Sequence, residues 1–427
     1  MTAVFARRPR AAGGARAAAL AVLVLVALLA ALVGGCSAGP ERAAPDADAG
    51  VRRLLDQRAA AVLHRDRTAF LAGIDPRATR FLAEQRRVFG NLTDVPLAAW
   101  SYALVRTGAF PLPAAADGTR RAAAEVRLSY RLSGHDAEPV VSTAFLTLAE
   151  RGGRWYVAGD DDGAASGHRT AVQLWDQGRV RVVRGAHSLV LGLGTPAVLR
   201  AYAADADRAV PEVVHAWGTG WPRTVVVEAP ASLAQMAALL GAAPDAYRTI
   251  AAVTTWEPGA RERSPGEAPA DRVIVNPEAF RGLSGFGRQI VLTHETTHVA
   301  TRLSTNGHTP LWLSEGVADW VAYRTAGRTA RQVAPELAAD VAAGRLPAAL
   351  PAAADFGSTA RRLAQAYEGG WLACRMIADE WSPEALTGLY RAVAKGGTPD
   401  AHLRASLGVS LTEFTARWRA YLGRELG

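Results

Sequence analysis

Between Val291 and Thr301 the chain reads V-L-T-H-E-T-T-H-V-A-T, two histidines and a glutamate in a run that otherwise has the makings of a buried helix. Ile290, Val291, Leu292 and Val299 supply the apolar flanks. Burying a polar group without a partner costs roughly 2–7 kcal/mol, so a fold that encloses this helix must satisfy three side chains at once. The spacing says how. Residues four apart on a helix lie ~40° apart around the axis and ~6 Å along it, so His294 and His298 can reach one metal ion. Downstream, P-L-W-L-S-E-G-V-A-D-W-V-A-Y puts Glu315 and Asp319 four apart on another helix. If the first helix runs to about Leu303 and the second starts at Thr309, the first rises ~7.5 Å past His298 and the second descends ~9 Å to Glu315. An antiparallel return through S-T-N-G-H then brings that carboxylate level with both imidazoles. The set is His₂Glu with a fourth position left for water.

A chain of 427 residues exceeds what one core sustains, and two folded units are expected. From Val51, the residues Val51, Leu54, Leu55, Ala59, Val62 and Leu63 recur at helical spacing, and a second helix is expected over Ala78 to Phe89. Four alternating segments follow, W-S-Y-A-L-V-R, A-A-E-V-R-L-S-Y-R-L, V-V-S-T-A-F-L-T-L-A and R-W-Y-V-A-G-D, the last pair joined by Arg151-Gly152-Gly153. Asp160-Asp161-Asp162-Gly163 closes this unit as a solvated turn, since it lacks the distal acid of a helix-loop-helix calcium site. The second unit opens on V-R-V-V-R-G-A-H-S-L-V-L-G, a strand or hairpin. A helix around Ala203–Trp217, the strand T-V-V-V-E, the helix S-L-A-Q-M-A-A-L-L-G, a strand near Ile250–Thr255, a loop from Glu257 to Ala270 and the strand D-R-V-I-V-N lead to the histidine helix. Beyond it the chain is helical, with start signals at Thr309-Pro310, Ser382-Pro383, Thr398-Pro399 and Ser410-Leu411-Thr412-Glu413.

The N-terminus carries Arg7, Arg8, Arg10 and Arg16, then A-A-A-L-A-V-L-V-L-V-A-L-L-A-A-L, then Val33-Gly34-Gly35-Cys36. A basic segment, an apolar segment and small residues before a cut site make an export signal over residues 1–35. Val33-Gly34-Gly35-Cys36 resembles the bacterial lipobox, which implies a lipid on Cys36 and a protein held at the outer face of the cell membrane. Residues 36–50, small and proline-bearing, read as a flexible tether. Four of the chain's eight net positive charges precede Cys36, where no acid stands, and the remaining excess gives no sign of a nucleic-acid partner. Cys374, the other cysteine, lies in W-L-A-C-R-M-I-A and reads as a small buried residue.

The element order of residues 51–163 resembles the cone-shaped α+β fold of the nuclear-transport-factor-two and cystatin-like superfamily. H-E-x-x-H with W-L-S-E-G-V-A-D-W downstream resembles the gluzincin metallopeptidases, specifically bacterial peptidase MA-like families, across roughly residues 180–427 of a domain spanning 170–427. The expected architecture is therefore α+β, a cone-shaped module followed by a gluzincin-type domain with a small mixed sheet, the H-E-x-x-H helix and a C-terminal helical bundle. The resemblance implies that His294, His298 and Glu315 bind Zn²⁺. It implies that Glu295 is the general base toward the attacking water, and that Asp319 accepts a hydrogen bond from a ligand imidazole. Tyr367, in A-Y-E-G-G-W, resembles the family's oxyanion donor, with His308 as a second candidate. The strand D-R-V-I-V-N resembles the edge strand that holds an extended peptide. A zinc metallopeptidase acting on a peptide or protein is the expected function. The alternative is a non-catalytic envelope lipoprotein that uses the peptidase fold as a binding scaffold.

Overall fold

The computed structural model describes residues 45–255, 270–357 and 360–427. Residues 1–35, read above as an export signal, Cys36 and the loop from Glu257 up to residue 269 lie outside the described residues.

The N-terminal half begins with three helices, α1 (Pro45–Leu63), α2 (Arg67–Ala72) and α3 (Thr79–Asn91). The helix starts earlier than the tether reading of residues 36–50 allows. Proline fits a first helical turn, whose N–H groups lack partners anyway, and Asp48 accepts a bond from the Thr107 hydroxyl (3.1 Å), which ties this turn to the sheet. A four-stranded antiparallel meander follows: β1 (Leu97–Thr107), β2 (Arg121–Leu132), β3 (Val140–Arg151) and β4 (Arg154–Gly159). Register sets Trp100 opposite Tyr130 and Leu104 opposite Val126, so alternate side chains form one apolar face. α1 packs on that face through Val51, Leu54, Leu55 and Val62, all buried. Leu63, expected on the same stripe, is exposed, while Arg58 is buried in it.

A short helix α4 (Leu174–Gln177) connects to a five-stranded sheet made of β5 (Arg181–Arg184), β6 (Ser188–Gly192), β7 (Val225–Ala229), β8 (Ala252–Thr255) and β9 (Arg272–Val275). Its order is β5-β6-β7-β9-β8. β6, β7 and β9 run parallel and the two outer strands antiparallel, which is the small mixed sheet expected. One expectation is corrected here. The D-R-V-I-V-N segment forms β9, paired on both sides, and the edge next to it is β8. Between β6 and β7 runs α5 (Pro196–Trp217), opened by Thr195 capping the Val198 N–H, and α6 (Leu233–Leu239) follows β7.

The two halves share a core. Trp100, Tyr130 and Leu132 of the meander pack in one cluster with Trp175, Leu189, Leu191 and Val226. Asp136, in the turn between β2 and β3, accepts two 2.8 Å bonds from the Arg272 guanidinium of β9. Both partners are almost wholly enclosed, with side-chain exposures of 5% and 1%.

The remainder is helical: α7 (Pro277–Arg281), α8 (Gly285–Thr301), α9 (Leu311–Tyr323), α10 (Ala330–Val333), α11 (Pro335–Ala342), α12 (Leu363–Glu380), α13 (Pro383–Val393), α14 (Pro399–Leu407) and α15 (Leu411–Leu426). Hydroxyl caps at Ser284, Ser382, Thr398 and Ser410 start four of them. α9 and α12 touch backbone to backbone. A Cβ on Gly316 would lie 2.3 Å from the Gly370 carbonyl oxygen, and one on Gly370 would lie 2.8 Å from the Trp312 carbonyl. Cys374 is fully buried in this contact, as its flanks indicate. Among the described residues no helix is long and apolar enough to cross a membrane.

Candidate metal centre

α8 is capped by Ser284, continues to Thr301 and ends in a 3-10 turn over Arg302–Ser304. α9 starts at Leu311 after Pro310. His294 meets both Glu315 and Asp319 while His298 meets Glu315, so the two helices run antiparallel, as the loop arithmetic requires.

Three ligand atoms converge. His294 Nε2 and His298 Nε2 lie 3.0 Å apart, and Glu315 Oε2 lies 3.3 Å from each. This group can hold a metal ion. Glu315 Oε2 is buried and receives no hydrogen bond, although two ring nitrogens flank it. On the other side of its ring, His294 Nδ1 lies 2.7 Å from Asp319 Oδ1. With Nδ1–H donating to that carboxylate, Nε2 is the ring nitrogen that faces Glu315 and His298 and is left to meet a cation. Side-chain exposure rises from 1% at His294 through 8% at Glu315 to 16% at His298, so the group is reached from the His298 side.

The electrostatics follow from burial and from these contacts. Burial alone would pull the His294 imidazole down, but the Asp319 and Glu315 carboxylates outweigh it and push the value up to about 10. Glu315 is opposed by burial too, yet the two imidazoles hold its carboxyl well below the usual carboxylate range. Asp319 is pushed up by burial despite its bond to His294. Without a cation the group therefore retains a proton among its nitrogens, and a cation has to displace it.

Glu295 stands next to the ligands with one oxygen held. The Thr254 hydroxyl of β8 donates to Glu295 Oε2 at 2.5 Å and lies 3.1 Å from the Glu295 carbonyl oxygen. Oε1 is buried and has no partner. Burial raises the carboxyl's pKa, and the imidazoles and Thr254 act against it. Thr254 was missed in the sequence because its role depends on which strand becomes the sheet edge. Gly316 was missed too, since only the packing of α9 on α12 shows that the residue after Glu315 must lack a side chain.

Two expected residues stand apart. Tyr367 on α12 is fully buried, edge-on to Phe356 with ring centroids 5.2 Å apart, and offers no surface to a substrate in this conformation. His308 is exposed in a turn closed by its own N–H donating to Asn306 Oδ1 (2.9 Å). Asp160–Gly163 is a turn, with Asp162 paired to Arg121 at 2.7 Å. A recess at the last turn of α8 is lined by Val299, Arg302, Asp271, Trp221, His135 and Thr224, none of which belongs to the metal group.

Set against family models, curated proteins and solved structures, the chain matches none.

Proposed function

We propose that the chain is a zinc-dependent peptidase of gluzincin type, preceded by a cone-shaped module and tethered outside the cell membrane by a lipid on Cys36. The observation that carries this reading is the convergence of His294 Nε2, His298 Nε2 and Glu315 Oε2 at separations of 3.0 and 3.3 Å. Donors about 2.0–2.1 Å from one ion at tetrahedral angles stand about 3.3 Å apart, so the side chains are already spaced for zinc. When bound, zinc supplies Lewis acidity, which makes water acidic near neutral pH and polarises a carbonyl.

The protein's own groups divide the remaining work. Asp319 fixes the His294 ring by accepting from Nδ1. Glu295, anchored through Oε2 by Thr254, keeps Oε1 free to take a proton from the attacking water and to pass it to the leaving amine. β8, at the sheet edge beside Glu295, can pair with an extended peptide through its main chain. The lipid anchor rests on the Val33–Cys36 sequence, and a Cys36→Ser protein is expected to lose incorporation of labelled fatty acid.

The test is metal analysis of the full chain together with cleavage of a peptide library by wild type and Glu295→Gln. Both proteins are expected to hold one zinc per chain, with hydrolysis by the variant reduced ~10³-fold. Equal hydrolysis by the two would remove Glu295 from the reaction. Bound zinc with no cleavage by wild type would leave the scaffold alternative.

A further inference from the structure

The N-terminal half encloses a second polar cluster, unconnected with the metal centre. A recess, open at its mouth, lies between the helices and the inner face of the meander, with Arg58, Phe70, Phe81, Trp100, Asp160 and Trp175 among its walls. Arg58 is only 8% exposed. Its guanidinium lies 3.9 Å from the centroid of the Phe70 ring, and Nη2 bonds Gln85 Oε1. Nη1 is buried with no acceptor, and Arg58 makes no ion pair among the described residues. Trp100, 5% exposed, likewise buries its Nε1 with no acceptor. Asp160 is half-buried in the same wall and does not pair with Arg58. Burial, and then Glu84 and Asp161, push its carboxyl up to about 6, with Arg58 acting in the opposite sense. Asp176, in the same wall, accepts from the Gln173 N–H at 2.8 Å and likewise makes no ion pair with Arg58 among the described residues.

A buried charge with no ion-pair partner and an unmet N–H is costly, and native structures answer it with a partner. Here the two unmet groups are both donors, one is a cation, and the surrounding wall is aromatic. The complement is an anion on an apolar body, and a carboxylate matches the planar guanidinium best.

We propose that this recess binds a small organic monocarboxylate, its carboxylate on Arg58 with the Trp100 N–H as a second donor, and its apolar body against Phe70, Phe81 and Trp175. Arg58 is then a ligand-binding residue, and the module is a sensor or carrier of an organic acid.

The test is calorimetric titration of the full chain with phenylacetate and with hexanoate, using 2-phenylethanol and inorganic phosphate as comparisons. Saturable one-to-one binding of the carboxylates is expected, at least tenfold weaker in Arg58→Met and several-fold weaker in Trp100→Phe. Without ligand, Arg58→Met is expected to melt at or above the wild-type temperature, because methionine replaces an unpaired buried charge. Asp160→Asn is expected to bind as tightly as wild type or more tightly. The proposal is overturned if neither carboxylate saturates by about 10 mM. It is equally overturned if 2-phenylethanol binds as well as phenylacetate, or if phosphate binds more tightly than either acid. A lowered melting temperature for Arg58→Met, with no probe bound by wild type, would make Arg58 a structural residue.

Discussion

Around α8 and α9, acceptors outnumber donors: Glu315 Oε2 and Glu295 Oε1 are buried with no hydrogen bond, and two imidazole nitrogens face each other 3.0 Å apart. Around α1 and β1 the balance is reversed, with Arg58 Nη1 and Trp100 Nε1 buried as donors that nothing accepts. The first cluster is complementary to a cation and the second to an anion. The difference lies also in what surrounds them. The acceptor-rich group is braced by charged and hydroxyl partners, Asp319 on His294 and Thr254 on Glu295. The donor-rich group is braced by Gln85 and an aromatic face. Bracing of the first kind holds the atoms in place, whereas the second kind leaves room for a ligand body.

The largest effect is expected from breaking the helix contact that aims Glu315. In Gly316→Ala the new Cβ meets backbone, 2.3 Å from the Gly370 carbonyl oxygen and 2.6 Å from its carbon, so α9 and α12 must separate. Overpacking of this kind costs up to about 3 kcal/mol, and the shift of α9 carries Glu315 away from the imidazoles. Thermal unfolding and metal analysis of the variant should show both losses. Gly388→Ala, on α13 with nothing within 4 Å of the added carbon, is the matched control and should gain about 0.5–1 kcal/mol. Retention of metal by Gly316→Ala would show that the cluster does not depend on this contact.

Asp319→Asn tests the bracing itself. The amide keeps the shape but loses the charge that the imidazole N–H donates to, and outer-sphere changes of this sort lower metal affinity 10–100-fold. A competition titration with a chelator measures it. An unchanged affinity would mean that the two histidines and Glu315 suffice without their brace.

How much of this was legible beforehand follows the range of the forces involved. The His294/His298 spacing and the antiparallel return to Glu315 are local consequences of helix geometry, and the structure brings those atoms together as the sequence reading expects. The mixed sheet is legible as a set of strands, but strand order depends on pairing between distant segments, which is why D-R-V-I-V-N reads as an edge strand although β8 occupies that edge. Arg58 falls on the apolar stripe of α1 between Leu54, Leu55 and Val62, yet an arginine at such a position reads as a residue that reaches out to water. Only the packing of Phe70 over it shows otherwise. The Gly316–Gly370 contact joins residues 54 positions apart, and no local pattern in the sequence announces it.

At a third buried ionisable group, Glu368, a proton takes the place of a charged partner. Glu368 on α12 accepts from the Glu336 and Leu337 N–H groups at 3.3 and 2.6 Å. Burial, and next the neighbouring Glu336 carboxylate, push its carboxyl up to about 9. The folded value lies above the unfolded one of 4.5, so the native state holds a proton that the unfolded chain releases. Stability is then greatest below about pH 4.5 and declines as pH rises toward 9, by no more than about 1.4 kcal/mol per unit. Glu336, whose pKa is lowered, acts in the opposite sense but at more acid pH. Urea unfolding between pH 6 and 8 should show a loss of about 2 kcal/mol in wild type, and Glu368→Gln should flatten it. The same slope in the variant would locate the proton elsewhere.

The smallest expected effect is the one that separates holding from reacting. Thr254→Val keeps the shape of β8 and removes the hydroxyl that binds Glu295 Oε2. A hydrogen bond to a charged group is worth about 1.5–3 kcal/mol, and part of it returns when the carboxylate finds water through the open His298 side. The expected outcome is a fall of about tenfold in kcat, with metal content and KM unchanged, because the substitution removes a side-chain hydroxyl and leaves both the ligand group and the main chain of β8, through which a peptide would pair, as they are. Loss of metal from Thr254→Val would instead make this threonine part of the cation's cage. An unchanged kcat would mean that Glu295 works without its anchor, and the contrast between a braced and an unbraced cluster would lose its functional meaning.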